Sequence, residues 1–401
     1  MQLLVLFCWL QMSASKNRAP IEIIPSCFPG GVQPAVAPAP VSALAEPVDD
    51  SVIDVAFFDT RARPDTSSMM RAAGRCNSSS ARVRFHAILT APKPLPGFRI
   101  VLLNLPQRAK CLYDGMKRLS HGPGPQYLYK PLLHYVMPAN VRRLILLDTD
   151  IVMVRDIVDL HAEFSRFGTK LLGVGNEQSR LYGSNGEGKN GGVQLFDLAK
   201  MRASTRYAAL LDHHATGRDG RRIGYLGDQT LYSYIFTKHP DMFYTLPCEW
   251  NRQISMHFGF HNATVHACPR RCGILHANFA PFKCIAWAMQ RDPSCSSWKK
   301  LADSLTEPLA PNHMCPRAAL PTRRGFKPAL TRFFSDCCVP DAATADALGS
   351  RTLEQAAEAK SRALEAAMPR KKNAPFLKGV GEDARARGLS EWGVAQRSRA
   401  A

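Results

Sequence analysis

The chain has 401 residues, with 52 Lys and Arg against 33 Asp and Glu, a net charge of +19, and 45% hydrophobic residues. A chain of this size can bury a large core, and its mixture of strand-like and helix-like segments predicts one α/β domain with disordered ends. The basic excess would suit nucleic acid or a membrane surface, but Lys and Arg are dispersed and no RNA- or DNA-binding motif accompanies them, so no nucleic-acid partner is expected. An anionic substrate would also gain from a basic cleft.

Residues 1–18 open with the apolar run Leu3-Leu4-Val5-Leu6-Phe7-Cys8-Trp9-Leu10, which predicts a signal peptide or a short signal anchor. The run is short for a membrane span. Residues 19–50, dense in Pro and Ala, predict an extended stem, with membrane anchoring through the N-terminus as a type II protein. Twelve cysteines and the acceptor sequons at Asn77 and Asn262 agree with an oxidising lumen of the endoplasmic reticulum or Golgi.

The folded domain is expected over residues 51–305. Val52–Phe58, Val83–Leu89 and Phe98–Leu103 read as strands. Tyr127–Met137 has helical periodicity and stops before Pro138. The run Leu144-Ile145-Leu146-Leu147 reads as a buried parallel strand, and Asp148-Thr149-Asp150 follows where it ends. Ligands of open α/β sheets bind in the crevice beyond the strands' carboxyl ends, so the two carboxylates point toward a cleft. Ordinary strand-end capping explains an Asp-x-Asp equally well on its own.

Ile157–Phe167 reads as a helix and Leu171–Gly175 as a strand. A glycine-rich loop is expected over Tyr182–Gly192, leading into Val193–Leu198 and a helix from Ala199. In that loop, backbone from Asn190 to Gly192 could come close to a ligand. Strands alternating with helices predict a mostly parallel sheet. Asp228 and Gln229 precede the apolar pattern of Thr230–Phe236 and fit a helix N-cap. Residues 306–401, Pro-rich and then basic around Arg370-Lys371-Lys372, predict a mostly disordered tail. His261, His266, Cys268 and Cys272 leave a zinc site open as an alternative.

Four segments in order, Leu146-Leu147-Asp148-Thr149-Asp150, Asn190-Gly191-Gly192-Val193, Leu226-Gly227-Asp228-Gln229 and Ile274-Leu275-His276, resemble the glycogenin-like retaining glycosyltransferases (glycosyltransferase family 8). Gly227-Asp228-Gln229, His239-Pro240, Cys248-Glu249-Trp250-Asn251-Arg252-Gln253 and His276-Ala277-Asn278 are most similar to the xyloside xylosyltransferases of that family. The resemblance covers about Gln126 to Lys283. Gly191 stands where the family has a small hydroxyl residue, and Thr230 where the xylosyltransferase pattern carries an acidic one.

The resemblance implies a nucleotide-diphospho-sugar transferase (GT-A) fold: one mixed, mostly parallel sheet flanked by helices. It implies a metal-dependent retaining enzyme that moves a sugar, xylose from UDP-xylose first among them, onto a xyloside-terminated glycan or glycoprotein. A related UDP-glucose or UDP-galactose transferase and an inactive glycan-binding relative are the rival readings. Asp148, Asp150 and His276 would hold the ion, and two carboxylates with one imidazole suit Mn²⁺ ahead of Ca²⁺, with Mg²⁺ as the other candidate. Lys130, Asp148, Thr149, Asp150, Asn190, Gly191, Gly192, Asp228, Gln229 and Lys283 would bind the donor, and Asp228 and Gln229 would lie beneath the reacting carbon. Trp250 and Asn251 would face the acceptor, with the indole stacking on a sugar ring. A disulfide is implied between Cys248 and Cys268.

Overall fold

Apolar runs bounded by polar residues become the strands of this chain, and their alternation decides which side chains face which layer. The computed structural model describes residues 25–28, 49–60, 66–74, 76, 78, 80–120, 124–178, 188–218, 220, 223, 226–253 and 272–278. All of them belong to one compact unit. The leader, most of the expected stem, Cys268, Lys283 and the tail lie outside the described residues.

The strands are β1 (Val52–Asp59), β2 (Arg82–Leu89), β3 (Phe98–Leu102), β4 (Arg143–Leu147), β5 (Ile151–Met153), β6 (Leu172–Asn176), β7 (Lys189–Asp197), β8 (Phe243–Leu246), β9 (Arg252–Gln253) and β10 (Ile274–His276). Seven form one sheet in the order β3-β2-β1-β4-β7-β6-β8. Within it β7 runs antiparallel to both its neighbours, and the remaining pairs are parallel. Helices flank the sheet, so the architecture is the mixed, mostly parallel α/β one expected. A small second sheet, β5-β10-β9, stands beside it.

In β4 the period of two is plain. Leu144 and Leu146 enter a core layer shared with the helices Gln107–Leu119, Thr205–Thr216 and Asp228–Lys238. Ile145 and Leu147 enter the opposite layer, with the helices Thr66–Gly74 and Ile157–Ala162. Both faces of β4 are therefore covered, which is why its sequence is continuously apolar.

Three local expectations change. The segment expected as a helix over Tyr127–Met137 is a 3₁₀ helix, Gly124–Leu132, followed by one α-turn, Leu133–Val136. Pro131 lies inside it, and a proline without an N–H cannot complete the α-helical bond. Ile157–Phe167 is α-helical only to Ala162 and tightens to 3₁₀ over Glu163–Arg166. Asn190–Gly192 are strand residues of β7, where Asn190 pairs with Gly175 of β6 and the Gly192 carbonyl accepts from Asp148, partners that a glycine-rich sequence does not announce.

A fourth change concerns the expected stem. Within it, residues 25–28 lie against the domain. Cys27 is bonded to Cys111, Ser26 Oγ and the Cys27 N–H donate to Asp212 at 2.8 and 2.9 Å, and Phe28 is buried in the core with the Arg108 guanidinium 3.8 Å from its ring centre. Pro/Ala-rich composition argues for an extended chain but carries no record of one Phe and one Cys with partners elsewhere. Among the described residues, no helix is long and apolar enough to cross a membrane.

Candidate active site

The site forms where β4 ends. The Asp148 N–H still pairs with the Gly192 carbonyl at 2.9 Å, after which Thr149 and Asp150 turn the chain out of the large sheet and into β5. Strand β10 runs antiparallel to β5 with His276 opposite Ile151, and the Ala277 N–H bonds the Asp150 carbonyl at 2.9 Å. The junction of the two sheets thereby gathers Asp148, Asp150 and His276. Their ligand atoms lie within 4.8 Å of one another, with His276 Nε2 3.4 Å from Asp150 Oδ1 and 3.9 Å from Asp148 Oδ2.

Two carboxylates and an imidazole gathered this closely are a donor set that fits a divalent cation. Gly192 lets the ring sit there: a Cβ on it would lie 2.1 Å from His276 Cε1. Behind the ring, His276 Nδ1 meets Asn251 Oδ1 at 2.9 Å.

Beside the carboxylates is a buried charge cluster. Lys130, 2% exposed, donates to Asp148 Oδ1 and to the Gly191 carbonyl, both at 3.0 Å, and stands 3.9 Å from Asp228 Oδ2. Burial by itself would lower the lysine's pKa, but Asp148 and Asp228 outweigh it and hold the ammonium charged well above its usual range. Burial, helped by the charge of Asp148 and opposed by Lys130, pushes the Asp228 carboxyl up to about 6. This lysine is thus bound into the site, where helical periodicity alone would have left it solvated.

Asp228 opens the helix Asp228–Lys238, but its side chain makes no cap: the N-cap is Gly227, at φ 59°. The carboxylate instead accepts from Gln194 Nε2 at 2.9 Å, and that same nitrogen also donates to the Gly191 carbonyl at 2.9 Å. Tyr232 Oη donates to Gln194 Oε1 at 3.2 Å. A Cβ at Gly191 would lie 2.8 Å from both Gln194 Nε2 and Asp228 Oδ2, so the glycine at this position makes room for the Gln194 bridge. Gln194 was not among the expected site residues. Its signal was a lone polar residue within Val193-Gln194-Leu195-Phe196, a strand with both faces buried. Gln229, next to Asp228, is half-buried.

Trp250 and Asn251, expected on the acceptor side, are both buried. Trp250 is 1% exposed, with its indole N–H donating to Glu163 at 3.3 Å, Arg155 over its ring and Gly273 against its edge. It packs the core, because only burial satisfies so large an apolar surface. Asn251 is equally buried and meets His276 and Asn190. Asn190 directs its carboxamide oxygen at the Gly192 N–H and at Asn251, and its nitrogen at Glu177. Cys248 is disulfide-bonded, whereas Cys268 and the donor residue Lys283 fall outside the described residues. Cys272, one of the alternative zinc ligands, is a buried free thiol.

No protein-family model matches the chain. Over 153 residues, 34% of its length, it is 34% identical to xylosyl- and glucuronyltransferase LARGE1 of Homo sapiens, of which 20% is matched. Xyloside xylosyltransferase 1 of Homo sapiens is 30% identical over 167 residues, 34% of this chain and 42% of that protein. The chain thus spans less than half the length of these curated relatives. Among solved structures, mouse xyloside xylosyltransferase 1 aligns with a TM-score of 0.45 and 21% identity over 57% of this chain and 98% of that one. The galactosyltransferase LgtC aligns with a TM-score of 0.45 and 15% identity over 67% and 100%. The curated relatives are glycosyltransferases, and over the matched stretch this chain is their homologue.

Proposed function

We propose that the chain is a metal-dependent glycosyltransferase of the secretory lumen that transfers a sugar from a UDP-sugar, xylose first, to a xyloside-terminated glycan with retention at the anomeric carbon. The observation that carries this is the Asp148, Asp150 and His276 cluster lying against the Lys130, Asp228 and Gln194 network. Matched relatives named for xylosyl transfer support the donor. The Cys27–Cys111 and Cys248 disulfides support an oxidising compartment.

Asp148, Asp150 and His276 would hold Mn²⁺ or Mg²⁺, which when bound supplies positive charge where the departing diphosphate gains negative charge. Lys130 fixes Asp148 in place and adds a cation to the same wall. Asp228, held by Gln194 and Lys130, and the half-buried Gln229 would orient the sugar from below. In the transfer, the bond from the anomeric carbon to the diphosphate oxygen breaks as the acceptor oxygen bonds to the same face, and the acceptor's proton leaves with the diphosphate. The chain's contribution is thus orientation, charge and exclusion of water.

The test uses the full chain from a secretory host, with UDP release measured across UDP-xylose, UDP-glucose, UDP-galactose and UDP-glucuronic acid and with xyloside and glucoside acceptors. The reading expects selective UDP-xylose turnover that EDTA and Asp150→Asn abolish. Turnover of another UDP-sugar would replace the donor. A folded protein that turns over none of them would overturn the enzymatic reading.

A further inference from the structure

The hydrogen bonds behind His276 run in one direction and end on a carboxylate. Glu177, Asn190, Asn251 and His276 are all at most 3% exposed, so each polar atom must find its partner within the protein. Asn251 Nδ2 faces two acceptors, the Asn190 carbonyl at 3.2 Å and Asn190 Oδ1 at 3.0 Å. Turning the Asn251 amide over would set its oxygen against both, so the amide has one satisfactory orientation. Asn190 is fixed in the same way. Its oxygen accepts the Gly192 N–H at 3.1 Å and its nitrogen donates to Glu177 Oε2 at 2.9 Å.

We infer that Asn251 is the positioning residue of the metal site: it keeps the proton of His276 on Nδ1 and thereby turns the Nε2 lone pair toward Asp148 and Asp150. The atom 2.9 Å from His276 Nδ1 is Asn251 Oδ1, which can only accept, so Nδ1 is the donor. Nε2 is then the nitrogen free to bind a cation, and it is the one beside the two carboxylates. Donation passes from His276 to Asn251, Asn190 and Glu177, and a ligand imidazole anchored by its second nitrogen is held in orientation. The same contacts explain the burial of Asn251, which an acceptor-contacting role does not. The inference rests on the metal reading proposed above.

Two measurements on the intact chain separate the inference from that reading. Long-range ¹H–¹⁵N histidine spectra of the metal-free protein, with His276 assigned by the loss of its signals in His276→Gln, should show a protonated Nδ1. That state should be lost in Asn251→Leu, which keeps the branching of the side chain and removes the acceptor. Calorimetric titration with Mn²⁺ should give an affinity about 10- to 100-fold weaker in Asn251→Leu than in wild type. Wild-type protein with an unprotonated Nδ1 overturns the inference whether or not the variant folds. Equal Mn²⁺ affinity in the two proteins also overturns it while leaving the metal site standing. If wild type binds no Mn²⁺, the metal reading fails, and the Nδ1 signal still decides whether Asn251 sets the proton.

Discussion

Replacing Gly192 by alanine should dismantle the site from behind. The added Cβ would lie 2.1 Å from His276 Cε1, 2.5 Å from Nδ1 and 2.7 Å from Nε2, so restoring an ordinary 3.4 Å contact requires roughly 1.3 Å of movement. The imidazole has no easy retreat, because it is buried, paired to Asn251 and carried on a strand hydrogen-bonded on both sides. Either the ring swings out and loses Asn251, or β7 lifts from β4 and loses the Asp148–Gly192 bond. Overpacking of this kind costs about 1–3 kcal/mol, and one buried hydrogen bond lost adds about 1–2 kcal/mol. Urea denaturation should therefore show about 2–5 kcal/mol of destabilisation. Calorimetric Mn²⁺ affinity should fall at least about 10-fold, and UDP-sugar turnover about 100-fold. A variant within about 0.5 kcal/mol of wild type that binds Mn²⁺ equally well would show that His276 does not sit against β7, and the site geometry argued here would be wrong.

Lys130→Met removes the cation between Asp148 and Asp228. Stripping one partner from a buried charge network costs about 3–5 kcal/mol, tempered here by the partial exposure of Asp148, and a stability loss below about 1 kcal/mol would contradict the burial of that cluster. His134 is buried, and burial aided by the Arg202 charge lowers its pKa from 6.5 to about 3. Its folded form stays neutral while the unfolded chain takes up a proton below 6.5, so the associated stability is present above that pH and declines as pH falls toward 3. Between pH 7.5 and 5 this one group should account for about 2 kcal/mol. Urea midpoints should show that dependence, and His134→Gln should flatten it. The Cys27–Cys111 bond closes a sequence separation of 84, for which chain entropy gives about 4.6 kcal/mol. Cys27→Ser should melt correspondingly lower, and an unchanged midpoint would mean that the crosslink adds nothing to the fold.

Much of the scaffold was legible locally. β1 to β4 and β6 appear within a residue or two of their expected places: the continuous apolar runs of β1 and β4 record burial on both faces, and the mixed runs of β2 and β3 record partial burial nearer the sheet edge. The Asp148-Thr149-Asp150 turn was legible for the same reason: a buried strand that stops at two carboxylates must deliver them to its end. The burial of Trp250 was not legible, because a tryptophan in a polar loop sequence carries no mark of Glu163, Arg155 and Gly273 around it. Asn190–Gly192 were misread as loop because glycines conceal strand character until β6 and Asp148 supply the partners. Gln194 left a trace, a polar residue in an apolar strand, but Asp228, the carboxylate it bridges to Gly191, lies outside any short window.

By itself the sequence determined the α/β class, the positions of the main strands and the place where acidic groups emerge, since each depends on the local period of buried side chains. Tertiary structure alone decided that His276 pairs across from Ile151, that Lys130 is buried between Asp148 and Asp228, and that Cys27 reaches Cys111. Those outcomes depend on strand order and on how β5 leaves the large sheet for β10. Hydrophobic periodicity records how deeply a residue is buried, whereas the identity of its distant neighbour is settled only when the sheets assemble.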